Sequence, residues 1–193
     1  SQEIDVCVED LLKKGLSVYE VNTDLLKKLA PDLIITQAQC EACAVSLNDV
    51  KEAVSDWVGN KPDIVSLEPN YLDEVWSDFE RVGEKLNCTD SYLKFKSEIE
   101  QRLEKLKQKS QQLIKRPSVV CVEWIDPLMI AANWVPELVD IAGGINLLTK
   151  PGSHSHIFKW EEIIESNPEF IIMMPCGFDI NRTLEEIEIL KQK

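Results

Sequence analysis

Histidine, methionine and glycine are scarce in this chain, with two, three and seven copies in 193 residues. The few glycines form no phosphate cradle: neither G-x-x-x-x-G-K-S/T nor G-x-G-x-x-G occurs, and G-x-S-x-G and H-E-x-x-H are missing too. Nucleotide loops, hydrolase elbows and zincin helices are therefore excluded as starting points. Basic residues are in deficit, 21 Lys+Arg against 34 Asp+Glu, for a net charge of −13. That excess of negative charge repels a nucleic-acid backbone or an anionic bilayer, so neither is expected as a main partner. No apolar run approaches the roughly 18 residues of a membrane span, and no membrane insertion is expected. Cysteine, at six residues, falls well below the density of a disulfide scaffold. Cys7, Cys40, Cys43, Cys88, Cys121 and Cys176 read as free thiols suited to a reducing compartment. Ser1 to Asp5 carry neither a basic n-region nor an apolar h-region, which points to a cytoplasmic protein, or to a periplasmic or extracytoplasmic one if the chain is a fragment. The 44% hydrophobic content excludes a disordered chain. What remains is an acidic, globular protein that handles something small.

Helical and strand patterns alternate along the chain, the mark of α/β units on a mostly parallel sheet. Residues 2–14 place Ile4, Val8, Leu11 and Leu12 on one helical face, and Asn22-Thr23-Asp24 opens a short helix that ends before Pro31. Leu33-Ile34-Ile35 and Ile64-Val65-Ser66-Leu67 read as strands, with helices from Val45 to Trp57 and from Tyr71 to Leu86. Over residues 90–116 the apolar positions Tyr92, Phe95, Ile99, Leu103, Leu106 and Leu113 recur at helical spacing without Gly or Pro. A coiled-coil dimer would give such a stripe; a stiff connecting helix in a monomer is favoured. Beyond Pro117, Val119–Val122 and Phe170–Met174 read as strands, and Val135–Ala142, Trp160–Ser166 and Leu184–Lys193 as helices. Gly143-Gly144 closes a helix, so it reads as a C-cap. The "Pro, then aliphatics" strand entries at Pro31, Pro62, Pro117 and Pro168 repeat on both sides of the long helix. The expected organisation is an N-terminal α/β lobe over 1–89, a connecting helix over 90–116 and a C-terminal α/β lobe over 117–193. Ligands of parallel sheets sit at the carboxyl ends of strands, here in a cleft between lobes.

Four segments follow the expected strands: Gln37-Ala38-Gln39-Cys40, Glu68-Pro69-Asn70, Trp124-Ile125-Asp126-Pro127 and Pro175-Cys176-Gly177-Phe178. They mix aromatic, amide, carboxylate and thiol groups, the lining of a small-molecule site. Ordinary turn chemistry is the alternative for any one of them. Trp57 and Trp76 fall on helix faces as core residues, whereas Trp124 and Trp134 lie near strand ends, where an indole can stack on a planar ligand. Cys40-Glu41-Ala42-Cys43 stands where a strand hands over to a helix, a place that lowers a thiolate pKa, so a thiol redox or metal-binding protein is the alternative function. Cys40, Cys43, His154, His156 and Cys176 are the candidate metal ligands, against a solvated loop for the two histidines. No nucleophile–base pair is apparent, and no enzyme is expected.

Several longer runs carry a resemblance. They are Val119 to Pro127 (VVCVEWIDP), Asn133 to Leu147 (NWVPELVDIAGGINL), Phe158 to Ile163, Asn167 to Gly177, Leu29 to Gln37 (LAPDLIITQ) and Ile64 to Pro69. In this order they resemble the cobalamin and iron-siderophore substrate-binding proteins of ABC importers, and the Gln-x-Gln-Cys-x-x-Cys-Ala-Val run is similar to a cobalamin-binding subgroup. The resemblance implies two α/β lobes joined by one long helix. It implies a ligand of the cobalamin, haem or ferric-chelate class with no required cofactor, and an ABC permease as partner. Gln37, Gln39 and Cys40 would line the ligand from one lobe, joined by the strand-end residue Glu68. Trp124, Asp126, Trp134, Cys176 and Phe178 would line it from the other. The family's first strand would precede Ser1 and its last elements would follow Lys193, so the chain is expected to be incomplete at both ends.

Overall fold

The computed structural model describes residues 1–13, 18–19, 21–39, 45, 47–55, 57 and 61–190. The chain divides into two compact units: an N-terminal one of Cys7–Pro69 and Asp73–Lys96, and a C-terminal one of Ser97–Lys193 with Ser1–Val6 and Asn70–Leu72. The elements alternate as the sequence pattern implies, giving a mixed α/β fold.

In the N-terminal unit, α1 (Gln2–Lys13), whose first residues belong to the other unit, is followed by α2 (Thr23–Leu29). The Asn22 Oδ1 accepts the Leu25 N–H at 2.9 Å and satisfies one donor that the first helical turn leaves unpaired. Strands β1 (Leu33–Gln37) and β2 (Asp63–Leu67) pair in parallel, in register from Leu33↔Asp63 to Gln37↔Leu67. Helix α3 (Leu47–Ala53) joins them and buries Val50. Helix α4 (Leu72–Lys85) packs closely on the start of α5 (Thr89–Ser110), because Gly83 leaves no room there: a Cβ on it would stand 3.0 Å from that of Tyr92. Trp76 is half-buried rather than core, in a ladder whose centroids run 6.1 Å to Phe79 and 5.3 Å on to Phe95.

Helix α5 belongs to the N-terminal unit up to Lys96 and to the C-terminal unit from Ser97. Of its periodic apolar residues only Tyr92 is buried. The helix stops at Ser110, short of the 90–116 pattern. Leu113 N–H reaches back only three residues, to Ser110 O at 3.1 Å, and Pro117 bars helical continuation. Leu113 is used off the helix instead, against Gly143.

In the C-terminal unit β3 (Ser118–Trp124) is the central strand. Short β4 (Met129–Ile130) runs antiparallel to it, and β5 (Ile145–Asn146) and β7 (Phe170–Met173) run parallel. β6 (His156–Ile157) adds antiparallel to β4. Alternate β3 residues feed two cores. Val120 and Val122 pack with Leu128, Ile130, Phe158 and Ile163, while Val119 and Cys121 pack with Ala131 and Val139. Helices α6 (Val135–Ile141), α7 (Trp160–Ser166) and α8 (Ile180–Leu190) complete the unit. Gly143, at φ +89°, ends α6, and a Cβ there would lie 2.6 Å from Leu113 Cδ1. Arg116 holds the same corner, donating to the Gly144 carbonyl and, at 2.5 Å, to Asp140 Oδ1. The Gly-Gly pair is therefore the helix stop its position implies.

Candidate functional site

In the N-terminal unit both strands end at one place. Gln37 closes β1, and Ala38 N–H extends the pairing by donating to Leu67 O at 3.0 Å. Gln39 then turns its amide back, Nε2 donating to the Pro69 carbonyl at 2.6 Å. Glu68 is exposed and its Oε1 takes the Ser66 hydroxyl at 3.0 Å. Cys40 and Cys43 lie outside the described residues, so the C-x-x-C reading rests on sequence alone.

In the C-terminal unit the ends of β3 and β7 carry a second group. The Cys176 N–H donates to Glu123 O at 3.2 Å, continuing the β3–β7 pairing past Met173. Gly177, at φ +75° with open space around it, then bends the chain so that Phe178 folds back. Its ring stands 5.4 Å from that of Trp124, tilted by 50°. Arg182, in the first turn of α8, lays its guanidinium over the Phe178 ring, 4.3 Å from its centre. Trp124, Phe178 and Arg182 thus form an aromatic and cationic surface at a sheet's carboxyl edge. Asp126 is half-buried just past β3. Trp134 is half-buried at the N-cap of α6, and among the described residues the ring contacts pair Trp124 with Phe178, not with Trp134.

Two groups here titrate abnormally. Burial pushes the Glu123 carboxyl above the usual carboxylate range, with a hydrogen bond from Ser155 opposing the shift. Cys176 is an exposed residue, yet partial desolvation and then the Glu123 charge hold its thiol above its ordinary value. That is the reverse of an activated redox cysteine, which needs a lowered pKa. The thiols of Cys7, Cys88, Cys121 and Cys176 are free. His154 and His156 are both exposed, and His156 stacks 4.2 Å from Phe158. Among the described residues no three His, Cys, Asp or Glu side chains come together to hold a metal ion.

Sequence reasoning missed Glu123 because it stands inside a strand run, where an acid reads as a solvent-facing position. It also missed Asp78 and Arg81 on α4, which sit beneath Glu68. The one available signal was their i, i+3 spacing as an opposite-charge pair.

A family model described as periplasmic binding protein matches residues 6–192. The chain belongs to the periplasmic binding protein family. This is a family of binding proteins, not enzymes, and its members work outside the cytoplasm, which fits the extracytoplasmic alternative and lends no support to the cytoplasmic expectation. Among solved structures, this periplasmic binding protein is similar to an ABC transporter substrate-binding protein from Listeria monocytogenes EGD-e. The TM-score is 0.71 and the identity 16%, over 89% of this chain and 64% of that one. It is also similar to S. aureus IsdE complexed with heme, at TM-score 0.64 and 17% identity over 90% and 63% of the two chains. The periplasmic vitamin B12 binding protein BtuF of Vibrio cholerae matches at TM-score 0.59 and 17% identity, over 90% and 67%. At these identities the likeness is one of fold. The chain spans 64% of the length of the Listeria protein. No curated protein matches the chain.

Proposed function

We propose that this chain is the ligand-binding part of an ABC-importer substrate-binding protein for a planar or metal-chelate ligand of the corrinoid, haem or ferric-chelate class. It acts outside the cytoplasm, as a monomer, and passes its ligand to a permease. The observation that carries this reading is the Trp124–Phe178–Arg182 surface at the carboxyl ends of β3 and β7. Adjacent rings stack on a flat macrocycle, and the guanidinium answers any negative periphery. Support comes from membership of the periplasmic binding protein family and from neighbours of the same fold that bind heme or vitamin B12. In the C-terminal unit Asp126, Trp134 and Cys176 are the further candidate contacts beside this surface; Gln37, Gln39 and Glu68 are candidate contacts at the strand ends of the N-terminal unit. Cys40 belongs to it on the sequence resemblance.

The test is a titration with hemin, cyanocobalamin and ferrichrome, following tryptophan fluorescence and the absorbance of each ligand. Saturable quenching at micromolar concentration by one of the three, lost in Trp124→Ala, is the expected result. Absence of quenching by all three would overturn the reading.

A further inference from the structure

Asp78 is an acid buried in the N-terminal unit, only 8% exposed, on the face of α4 that meets the end of β2. Its Oδ1 accepts from Arg81 Nη1 at 2.6 Å, one turn along the helix. The same guanidinium sends Nη2 to the backbone carbonyl of Ser66, also at 2.6 Å. Arg81 therefore bridges a helix side chain and a strand-end carbonyl, a use of the planar fork that a lysine cannot copy. A backbone hydrogen bond from Glu68 reaches Asp78 as well. From the held segment hang two of the candidate ligand groups. Ser66 Oγ donates to the Glu68 carboxylate at 3.0 Å, and the Pro69 carbonyl takes the Gln39 amide at 2.6 Å.

A buried carboxylate is a poor choice for stability alone. Desolvating it costs free energy that an apolar side chain of like size would not, and a half-exposed arginine returns only part of it. Asp78 Oδ2 is buried with no hydrogen-bond partner among the described residues. The arrangement makes sense as a geometric device, since two 2.6 Å bonds from one rigid group fix the direction of the strand end.

We propose that Asp78 and Arg81 are a positioning pair that fixes the Ser66–Pro69 segment and, through it, sets Glu68 and Gln39 for ligand binding. The ligand half of this inference rests on the function proposed above; the local half does not. Protonation of Asp78 removes the charge that Arg81 pairs with, so the clamp loosens in acid. The charged groups facing Asp78 are Arg81, Glu68 and Glu74, and burial, the largest influence, raises its pKa against the pull of Arg81.

The experiment is hydrogen exchange on the ligand-free chain, read on the peptide covering residues 66–70 and on a control peptide from α5, paired with affinities for hemin, cyanocobalamin and ferrichrome. In Arg81→Met the 66–70 peptide is expected to exchange about tenfold faster with the control unchanged, and the affinity of whichever ligand the wild type binds to fall at least fivefold. Arg81→Lys, which keeps the charge and loses the fork, is expected to restore less than half of each effect. If Arg81→Met does not fold, Asp78→Asn replaces it. Wild-type protection of 66–70 then declines between neutral and acidic pH, and the variant's does not. Unchanged exchange, or faster exchange with unchanged affinity, overturns the pair as a positioning device. A wild type that binds none of the three ligands overturns the proposed function and the ligand half of this inference, while the exchange of the 66–70 peptide still decides whether Asp78 and Arg81 hold the segment.

Discussion

Phe178 touches both neighbours that define the surface at the end of β7: the Trp124 ring at 5.4 Å and the Arg182 guanidinium at 4.3 Å. Replacing it with alanine frees both at once, so Phe178→Ala is expected to weaken ligand binding by about tenfold, on the order of 1.4 kcal/mol, with little change in melting temperature. Equilibrium titration beside a thermal scan checks this, and an unchanged affinity would remove Phe178 from the site. Glu123 gives a different signature. Its folded-state pKa lies above the unfolded value, so the folded chain takes up its proton more readily. The stabilisation this brings is present in full below the unfolded carboxylate pKa and is lost as pH rises through the raised value. At pH 7 the buried charge is a cost. Glu123→Gln is therefore expected to raise the melting temperature by about 2 °C at pH 7 and to make no difference near pH 4. A gain that is the same at both pH values would show that packing, not charge, is responsible. Neither Glu123 nor the Asp78–Arg81 pair was legible in the sequence. An acid in a strand and an acid on a helix carry no mark of burial until the opposing elements are in place.

At the scale of elements, legibility followed length and punctuation. The short apolar runs Val119–Val122 and Phe170–Met174, after Pro117 and Pro168, became β3 and β7, and the Asn22 cap opened α2 as expected. The two-residue strands β4, β5 and β6 have no periodicity to read, and only their pairing with β3 and with one another defines them. Helix α8 begins at Ile180, ahead of the expected Leu184. Asp179 Oδ1 caps it by accepting the Arg182 N–H at 2.8 Å, a start signal that the sequence did contain. The Gly143 corner offers the sharpest element-level test. An alanine there meets both a positive φ and a contact 2.6 Å from Leu113, so Gly143→Ala is expected to destabilise the C-terminal unit by about 1–3 kcal/mol in urea denaturation. Across the same unit, Lys115 joins the end of the α5 connection to Glu169 at 2.9 Å, ahead of β7. That bond holds the Glu169 carboxyl below its usual range. Its contribution is present above the unfolded pKa and lost as pH falls through the depressed one. The small stability difference between wild type and Lys115→Met should therefore be seen at neutral pH and vanish in strong acid. A difference that persists in acid would count against the ion pair as its source.

For the whole molecule, the family was readable because motif order carries more information than any single motif. Pro-Asp-Leu-Ile-Ile, then Val-Glu-Trp-Ile-Asp-Pro, then Gly-Gly-Ile-Asn carried the resemblance in that order, and all three lie within residues 6–192, which the family model matches. The acidic balance of −13 and the deficit of glycine had already removed nucleic acid and nucleotide cradles from consideration. The compartment was not readable from the opening residues, since a leader is a separable segment whose absence from a stretch of chain carries no physical signal in the fold. The proposed ligand is a class and not one molecule, because stacking rings, amides and one guanidinium accept many flat chelates.

Cys121 sits at the centre of β3, only 2% exposed, with its thiol pushed up by burial. It is therefore an internal clock. Among the described cysteines, a thiol reagent added to the native protein reaches exposed Cys7 and Cys176 and half-buried Cys88 first, while Cys121 waits until the sheet that encloses it opens. The slow phase of the colour change, which Cys121→Ser should abolish, times how often the C-terminal unit breathes. If a bound chelate seats at the ends of β3 and β7, it should stretch that phase in proportion to its affinity, so the chain carries its own ligand assay at a position no ligand touches.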